Sequence, residues 1–182
     1  TKAVYLQVRD RLDVPMVFLP LTDNPTPSSQ IGLNDVDSLL LMDSEDTHKT
    51  GLLLEAPGAS LLALMEKESG VDFMDVRRDD LLDAMRSGMV ESLEAVADLK
   101  GEFTDDGVKL RIVDGPLEGL SRSVAESTPG VASRLGCPIC SAAICGTAKV
   151  LKRDLILEEA VHQSRSHTVT LRFSGSPAHE TD

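Results

Sequence analysis

The most concentrated chemistry in this sequence is a group of cysteines between positions 137 and 145. Cys137, Pro138, Ile139 and Cys140 form a Cys-x-x-Cys motif, and Cys145 follows it. A thiol at the start of a helix loses its proton readily, because the helix N-terminus stabilises negative charge, so the motif is suited to thiol redox chemistry. The same two sulfurs can supply half of a zinc site. In a third interpretation, the three cysteines are small apolar residues of a buried helix.

Two histidines further along the chain complete a candidate metal site. His162 and His167 lie in the region where we expect the final hairpin, and with Cys137 and Cys140 they make a Cys2His2 set, a donor combination that zinc takes in structural sites. No second Cys-x-x-Cys motif is present. Because the two histidines bracket a turn, only the tertiary structure can bring their rings to the thiols.

The charge and composition exclude several classes of partner. Asp plus Glu number 30 against 18 for Lys plus Arg, which gives a net charge of -12. Such a surface repels phosphate backbones, so nucleic acid and anionic membranes are not expected as main partners. No apolar run in the sequence reaches the length of a membrane span, and no secretion signal opens the chain. Three clustered cysteines fit a reducing compartment, so we expect a cytoplasmic location.

Recognisable catalytic motifs are missing from the sequence. It has no glycine-rich phosphate loop, nucleophile elbow or His-Glu-x-x-His pattern. Ser121 and Ser123 lack the context of a nucleophile. The sequence therefore favours a binding protein over an enzyme.

The first 57 residues are predicted to be rich in β-structure. Val4, Leu6 and Val8 alternate with polar or amphipathic neighbours, as in a half-buried strand. The apolar run 14–19 predicts a second strand. Segments 39–42 and 51–55 are expected to pair as a hairpin.

Helical patterns follow. We predict a helix over residues 59–68 with Gly70 as its C-terminal cap. A second helix of roughly five turns is predicted by the spacing of its apolar residues. Further helices are expected over 117–126 and 138–151, with Pro138 in the first turn of the latter. The apolar residues that define the second helix are Leu81, Leu82, Met85, Met89, Val90, Leu93, Val96 and Leu99.

Two hairpins complete the predicted fold. Segments 102–104 and 108–112 flank an Asp-Gly pair, which is a strong hairpin signal. Segments 154–162 and 167–173 form the last hairpin. We therefore predict an α+β fold with an antiparallel sheet packed against helices. Its parts are a β-rich N-terminal portion (1–57), an α+β module (58–173) and a polar tail (174–182).

The order of elements after position 80 resembles that of the V4R (4-vinyl-reductase-like) domain, which is similar in fold to Bet3-type subunits of the TRAPP tethering complex. In these proteins a helix bearing Cys and Gly precedes a strand with a Glu and a strand that closes in a Phe. Here Cys137 or Cys140, Gly146, Glu158 or Glu159, and Phe173 take those places. Metal- or ligand-binding V4R members carry a further Cys in the last hairpin, where this chain has residues 163–166 without one.

The resemblance implies a homodimer formed through helices, with an apolar pocket for a small molecule or an acyl chain. Our leading expectation is thus a non-catalytic ligand-binding or sensory module. The alternatives are an adaptor that dimerises through its apolar helices, and a thiol-redox or zinc protein that uses Cys137 and Cys140. The expected pocket residues are Met85, Met89, Leu93, Cys137, Cys140, Ile144, Cys145 and Phe173.

Overall fold

The computed structural model describes residues 2–7, 14–21, 40–41 and 50–174. The polar tail predicted from residue 174 lies almost entirely outside this range. The strands are β1 (Val4–Leu6), β2 (Met16–Pro20), β3 (Leu40–Leu41), β4 (Gly51–Glu55), β5 (Val96–Phe103), β6 (Gly107–Asp114), β7 (Leu155–Gln163) and β8 (Ser166–Phe173). The α-helices are α1 (Ala59–Ser69), α2 (Leu81–Arg86), α3 (Glu118–Ser127), α4 (Pro129–Leu135) and α5 (Pro138–Leu151).

The strands form one sheet in the order β3-β4-β2-β1-β7-β8-β6-β5. All described pairings are antiparallel, which confirms the predicted α+β fold. The N-terminal strands join the rest through β1 and β7, where Val4 pairs with Ile156 and Tyr5 with Leu155. The N-terminal portion therefore extends the sheet of the following module.

Most predicted elements form where the sequence placed them. Helix α1 ends at Gly70, whose φ of 70° is the left-handed cap conformation that glycine favours. Strand β3 pairs with β4, and the connection between them lies outside the described residues. Strands β5 and β6 flank the Asp-Gly turn, and β7 and β8 form the final hairpin. The short helix is present as α3.

The prediction of one helix from Leu81 to Leu99 is wrong. Helix α2 continues into a π-helical turn, Ser87–Ser92, and Glu94 then takes a positive φ of 47° before β5 begins at Val96. Strand β5 carries a bulge between Val96 and Asp98. Because a bulge inserts one extra residue, two strand positions three apart can both be buried. Val96 and Leu99 thus imitate helical spacing inside a strand.

Helix α5 is the centre of the core. Its residues from Ile139 to Ala148 are all buried, and its small side chains let α1 pack closely against it. By length and composition, Pro129–Leu151 could cross a membrane, but 78% of its most apolar window is buried inside the fold. Gly136, with φ 71°, also breaks this stretch into α4 and α5. Both features are typical of a buried core helix.

Candidate functional site

The thiols of the Cys-x-x-Cys motif lie together at the start of α5. Cys137 is the N-cap residue in an extended conformation, and its Sγ accepts a hydrogen bond from the backbone N–H of Cys140 at 3.3 Å. The Cys140 thiol lies 3.2 Å from the same sulfur, and the Ser121 hydroxyl donates to it from α3 at 3.1 Å. The Cys137 sulfur therefore accepts two hydrogen bonds and contacts a second thiol.

The two histidines face each other across the last hairpin. His162 and His167 are direct partners in the β7–β8 register, so their side chains lie on the same face of the sheet. Their Nδ1 atoms are 2.5 Å apart, and the rings meet edge to face at 78°. Asp114, at the end of β6, places its Oδ1 2.6 Å from the Nε2 atom of His167.

The tertiary structure brings the thiols to these imidazoles. The Sγ atoms of Cys137 and Cys140 and a ring nitrogen of His167 all lie within 4.8 Å of one another, and all three residues are buried. His162 joins them through its close contact with His167. The four residues predicted as a metal set from the sequence are thus neighbours in the fold.

Burial and hydrogen bonding shift the pKa values of the two thiols in opposite directions. The hydrogen bond from Cys140, followed by that from Ser121, lowers the pKa of Cys137 to about 5 despite its burial. The same pairing with Cys137, together with burial, raises the pKa of Cys140. Burial and the neighbouring His167 lower the pKa of His162. At neutral pH the site therefore holds one thiolate and a neutral imidazole at His162, which are the forms that bind metals.

Two ring nitrogens of the site are left without hydrogen bonds. The Nε2 atoms of His162 and His167 are buried and have no hydrogen-bond partner among the described residues. The contact of the His167 Nε2 atom with Asp114 is short but poorly aligned for a hydrogen bond. Buried polar atoms usually have partners, so these two nitrogens are available to bind a water, a ligand or an ion.

Two residues of the site were not identified from the sequence. The sequence suggests for Ser121 only the question of a nucleophile, and it predicts no role for Asp114. Each reaches the cluster from a separate element, α3 and β6 respectively, so no local spacing signals its role. The one available hint is that Asp114 directly precedes Gly115-Pro116, where a strand must end.

The residues expected to line an apolar pocket lie in the packed core instead. All of these side chains are buried except that of Leu93, which packs partly buried against the core. Cavities of about 190, 250 and 400 Å³ on the described part of the protein are lined by other residues. That a small apolar molecule binds between these side chains stays a prediction. They are Met85, Met89, Leu93, Cys137, Cys140, Ile144, Cys145 and Phe173.

No protein-family model, curated protein or solved structure matches this sequence. The resemblance to the V4R domain, and the homodimer and ligand that it implies, therefore stay predictions.

Proposed function

We propose that this protein is a zinc-binding α+β module whose metal is held by Cys137, Cys140, His162 and His167. The observation that carries the proposal is the convergence of two buried sulfurs and an imidazole nitrogen within 4.8 Å, with a second imidazole in contact. Thiolate and imidazole donors are the combination that zinc prefers in structural sites.

Within each pair of like donor atoms the spacing is close to that around a tetrahedral ion. Zn–S bonds of about 2.3 Å and Zn–N bonds of about 2.0 Å place tetrahedral neighbours roughly 3.8 Å apart for sulfurs and 3.3 Å for nitrogens. The Sγ atoms are 3.2 Å apart and the Nδ1 atoms 2.5 Å apart. Binding would therefore separate each pair by less than about 1 Å, a movement within the reach of side-chain rotation. His162 lies outside the group whose donor atoms are within 4.8 Å of one another, so it would also have to move towards the thiols.

Neighbouring groups fit the role of outer partners to the ligands. Asp114 lies beside the His167 Nε2 atom, so that a His167 bound through Nδ1 and slightly reoriented could give its remaining N–H to this carboxylate. Ser121 and the backbone N–H of Cys140 donate to Cys137 and would share the charge of its thiolate. Such partners fix the orientation of the ligands and tune their basicity.

A set of four protein ligands closes the coordination shell, which favours a structural role for the zinc over a catalytic one. The ion would tie the start of α5 to the β7–β8 hairpin. Because the unfolded chain holds no preformed site, zinc binding would add to the stability of the folded state.

The zinc content of purified variants tests the proposal. We expect one bound zinc per chain after dialysis against metal-free buffer, and none in the double variant Cys137→Ser/Cys140→Ser. The variant Cys145→Ala removes the third buried thiol outside the cluster and should keep its zinc. A wild-type chain that retains no zinc, or equal loss from both variants, would contradict the proposal.

A second candidate function, dithiol redox chemistry, is favoured by the lowered pKa of Cys137 beside a raised pKa of Cys140. This asymmetry is typical of Cys-x-x-Cys redox pairs. Both side chains are, however, fully buried, so a disulfide substrate has no direct access to either sulfur. Rapid reaction of the folded, metal-free protein with a small disulfide would favour this candidate over zinc.

A further inference from the structure

A cavity of about 250 Å³ lies against the two histidines of the candidate zinc site. One wall is the face of α3 that carries Glu118, Arg122 and Glu126. The other walls are Asp114 and the β7–β8 hairpin, including both imidazoles. The thiols are fully buried and do not line this cavity. The imidazoles are thus the part of the site that meets the cavity.

The charges around the cavity favour a cation. Three carboxylates line it, from Asp114, Glu118 and Glu126. The single cationic side chain in the lining is Arg122, and its guanidinium donates to Glu118 at 2.9 Å. One negative charge is thus offset and two remain. A cleft with walls of one sign concentrates ions of the opposite sign and raises their rate of association.

The imidazoles in the cavity wall, which are also the proposed zinc ligands, are a second indication of a metal ligand beside the carboxylates. His167 is 95% buried, and its Nε2 atom makes no hydrogen bond among the described residues, although it lies 2.6 Å from the Asp114 Oδ1 atom. The Nε2 atom of His162, in the same cavity wall, also makes no hydrogen bond among the described residues. Imidazole nitrogens and carboxylate oxygens are both ligands that divalent metal ions take in proteins.

We propose that this cavity is an outer cation site through which a divalent metal ion reaches the buried thiols. The inference rests on the proposed zinc site, since the ion's destination is Cys137 and Cys140. In the first step, the carboxylates of Glu118 and Glu126 attract the hydrated ion to the cavity. The imidazoles then bind it as it loses water, and the thiolates complete the shell. Glu118 and Glu126 act on the rate of loading and are not ligands of the final site.

Stopped-flow uptake of Co²⁺ by the metal-free chain tests this proposal, with Co²⁺ as a coloured substitute for zinc. The double variant Glu118→Gln/Glu126→Gln should load roughly three- to tenfold more slowly at low ionic strength, because the attraction of the cavity is reduced. The difference should shrink in high salt, which screens exposed charges. The double variant Glu91→Gln/Glu102→Gln removes the same charge from exposed residues outside the cavity lining and should load like the wild type.

The outcomes separate the two proposals. If wild-type protein with Co²⁺ shows no absorption from thiolate-to-cobalt charge transfer, the zinc site itself is refuted. If that absorption develops at equal rates in the wild type and both variants, the zinc site stands and the outer cation site is refuted. Slower loading confined to the cavity variant supports the outer site.

Discussion

Cys137 has a polar environment that is unusual for a buried cysteine. Its sulfur accepts hydrogen bonds from the Cys140 backbone and the Ser121 hydroxyl and contacts the Cys140 thiol, all within 3.3 Å. Hydrogen bonds to a thiolate stabilise the charged form, and here they outweigh the desolvation that would otherwise raise the pKa. Cys137 is therefore suited to bind a metal ion as a thiolate.

Replacing Ser121 by Ala should raise the pKa of Cys137 from its value of about 5, because the variant removes one of the donors to its sulfur. The ultraviolet absorbance of the thiolate, followed against pH in metal-free protein, measures the shift. Ser123→Ala is the matched control, since this exposed serine lies on the same helix away from the cysteine. An unchanged titration in the Ser121 variant would show that its hydroxyl does not stabilise the thiolate.

The sequence predicted the four candidate metal ligands but not the two side chains that contact them, Ser121 and Asp114. Cys137 and Cys140 are recognisable by their spacing, and His162 and His167 by their places around a hairpin turn. Ser121 and Asp114 reach the cluster only because separate elements converge there. Such contacts depend on tertiary packing, which a local sequence pattern does not encode.

At the scale of elements, the close packing of α1 on α5 sets the position of the cysteine-bearing helix. Gly58 precedes α1, and its N–H donates to the Ser141 hydroxyl at 2.9 Å. A Cβ atom at this position would lie 2.0 Å from the backbone nitrogen of Ala142. Backbone atoms cannot yield as a flexible side chain does, so only glycine fits here.

The variant Gly58→Ala should therefore destabilise the protein by about 1–3 kcal/mol or more, the range for overpacking a core. Gly119→Ala is the matched control: nothing lies within 4 Å of its added Cβ, and in helix α3 alanine is favoured over glycine by up to about 1 kcal/mol. Urea unfolding measures both changes. Equal stabilities of the two variants would show that α1 and α5 are not packed as closely as described.

Regular sequence patterns predicted most helices and strands. The wrong prediction of one helix from Leu81 to Leu99 is explained by the irregular geometry of β5. The proline at the start of α5, the glycine after α1 and the Asp-Gly turn are local signals, and each element formed. The bulge in β5 has no comparable signal. It buries Val96 and Leu99 three positions apart, so the strand imitated a helix.

At the scale of the whole molecule, one continuous sheet joins the N-terminal strands to the module that holds the site. Tyr5 anchors this junction: it pairs with Leu155, and its buried hydroxyl donates to the carbonyl of Leu135 and contacts the Ser141 hydroxyl at 3.0 Å. Burial raises the pKa of this phenol, which stays neutral. The sequence predicted both regions but not that they share a sheet, because strand order depends on long-range pairing.

Unfolding should therefore occur in one transition. Tyr5 is the only tyrosine and the chain has no tryptophan, so intrinsic fluorescence reports on the N-terminal strand alone. Its change with urea should coincide with the loss of secondary structure seen by far-ultraviolet circular dichroism, as two-state unfolding requires. A fluorescence transition at lower urea would show that β1 detaches before the rest of the sheet unfolds.

The identity of the atoms around the metal distinguishes the proposed zinc site from any other site on the protein. X-ray absorption at the zinc edge of the loaded protein measures them directly. We predict two sulfurs at about 2.3 Å and two nitrogens at about 2.0 Å from the zinc, contributed by Cys137, Cys140, His162 and His167. Zinc bound only by oxygen and nitrogen, without sulfur, would contradict the proposed site, because the ion would then lie away from the buried thiols.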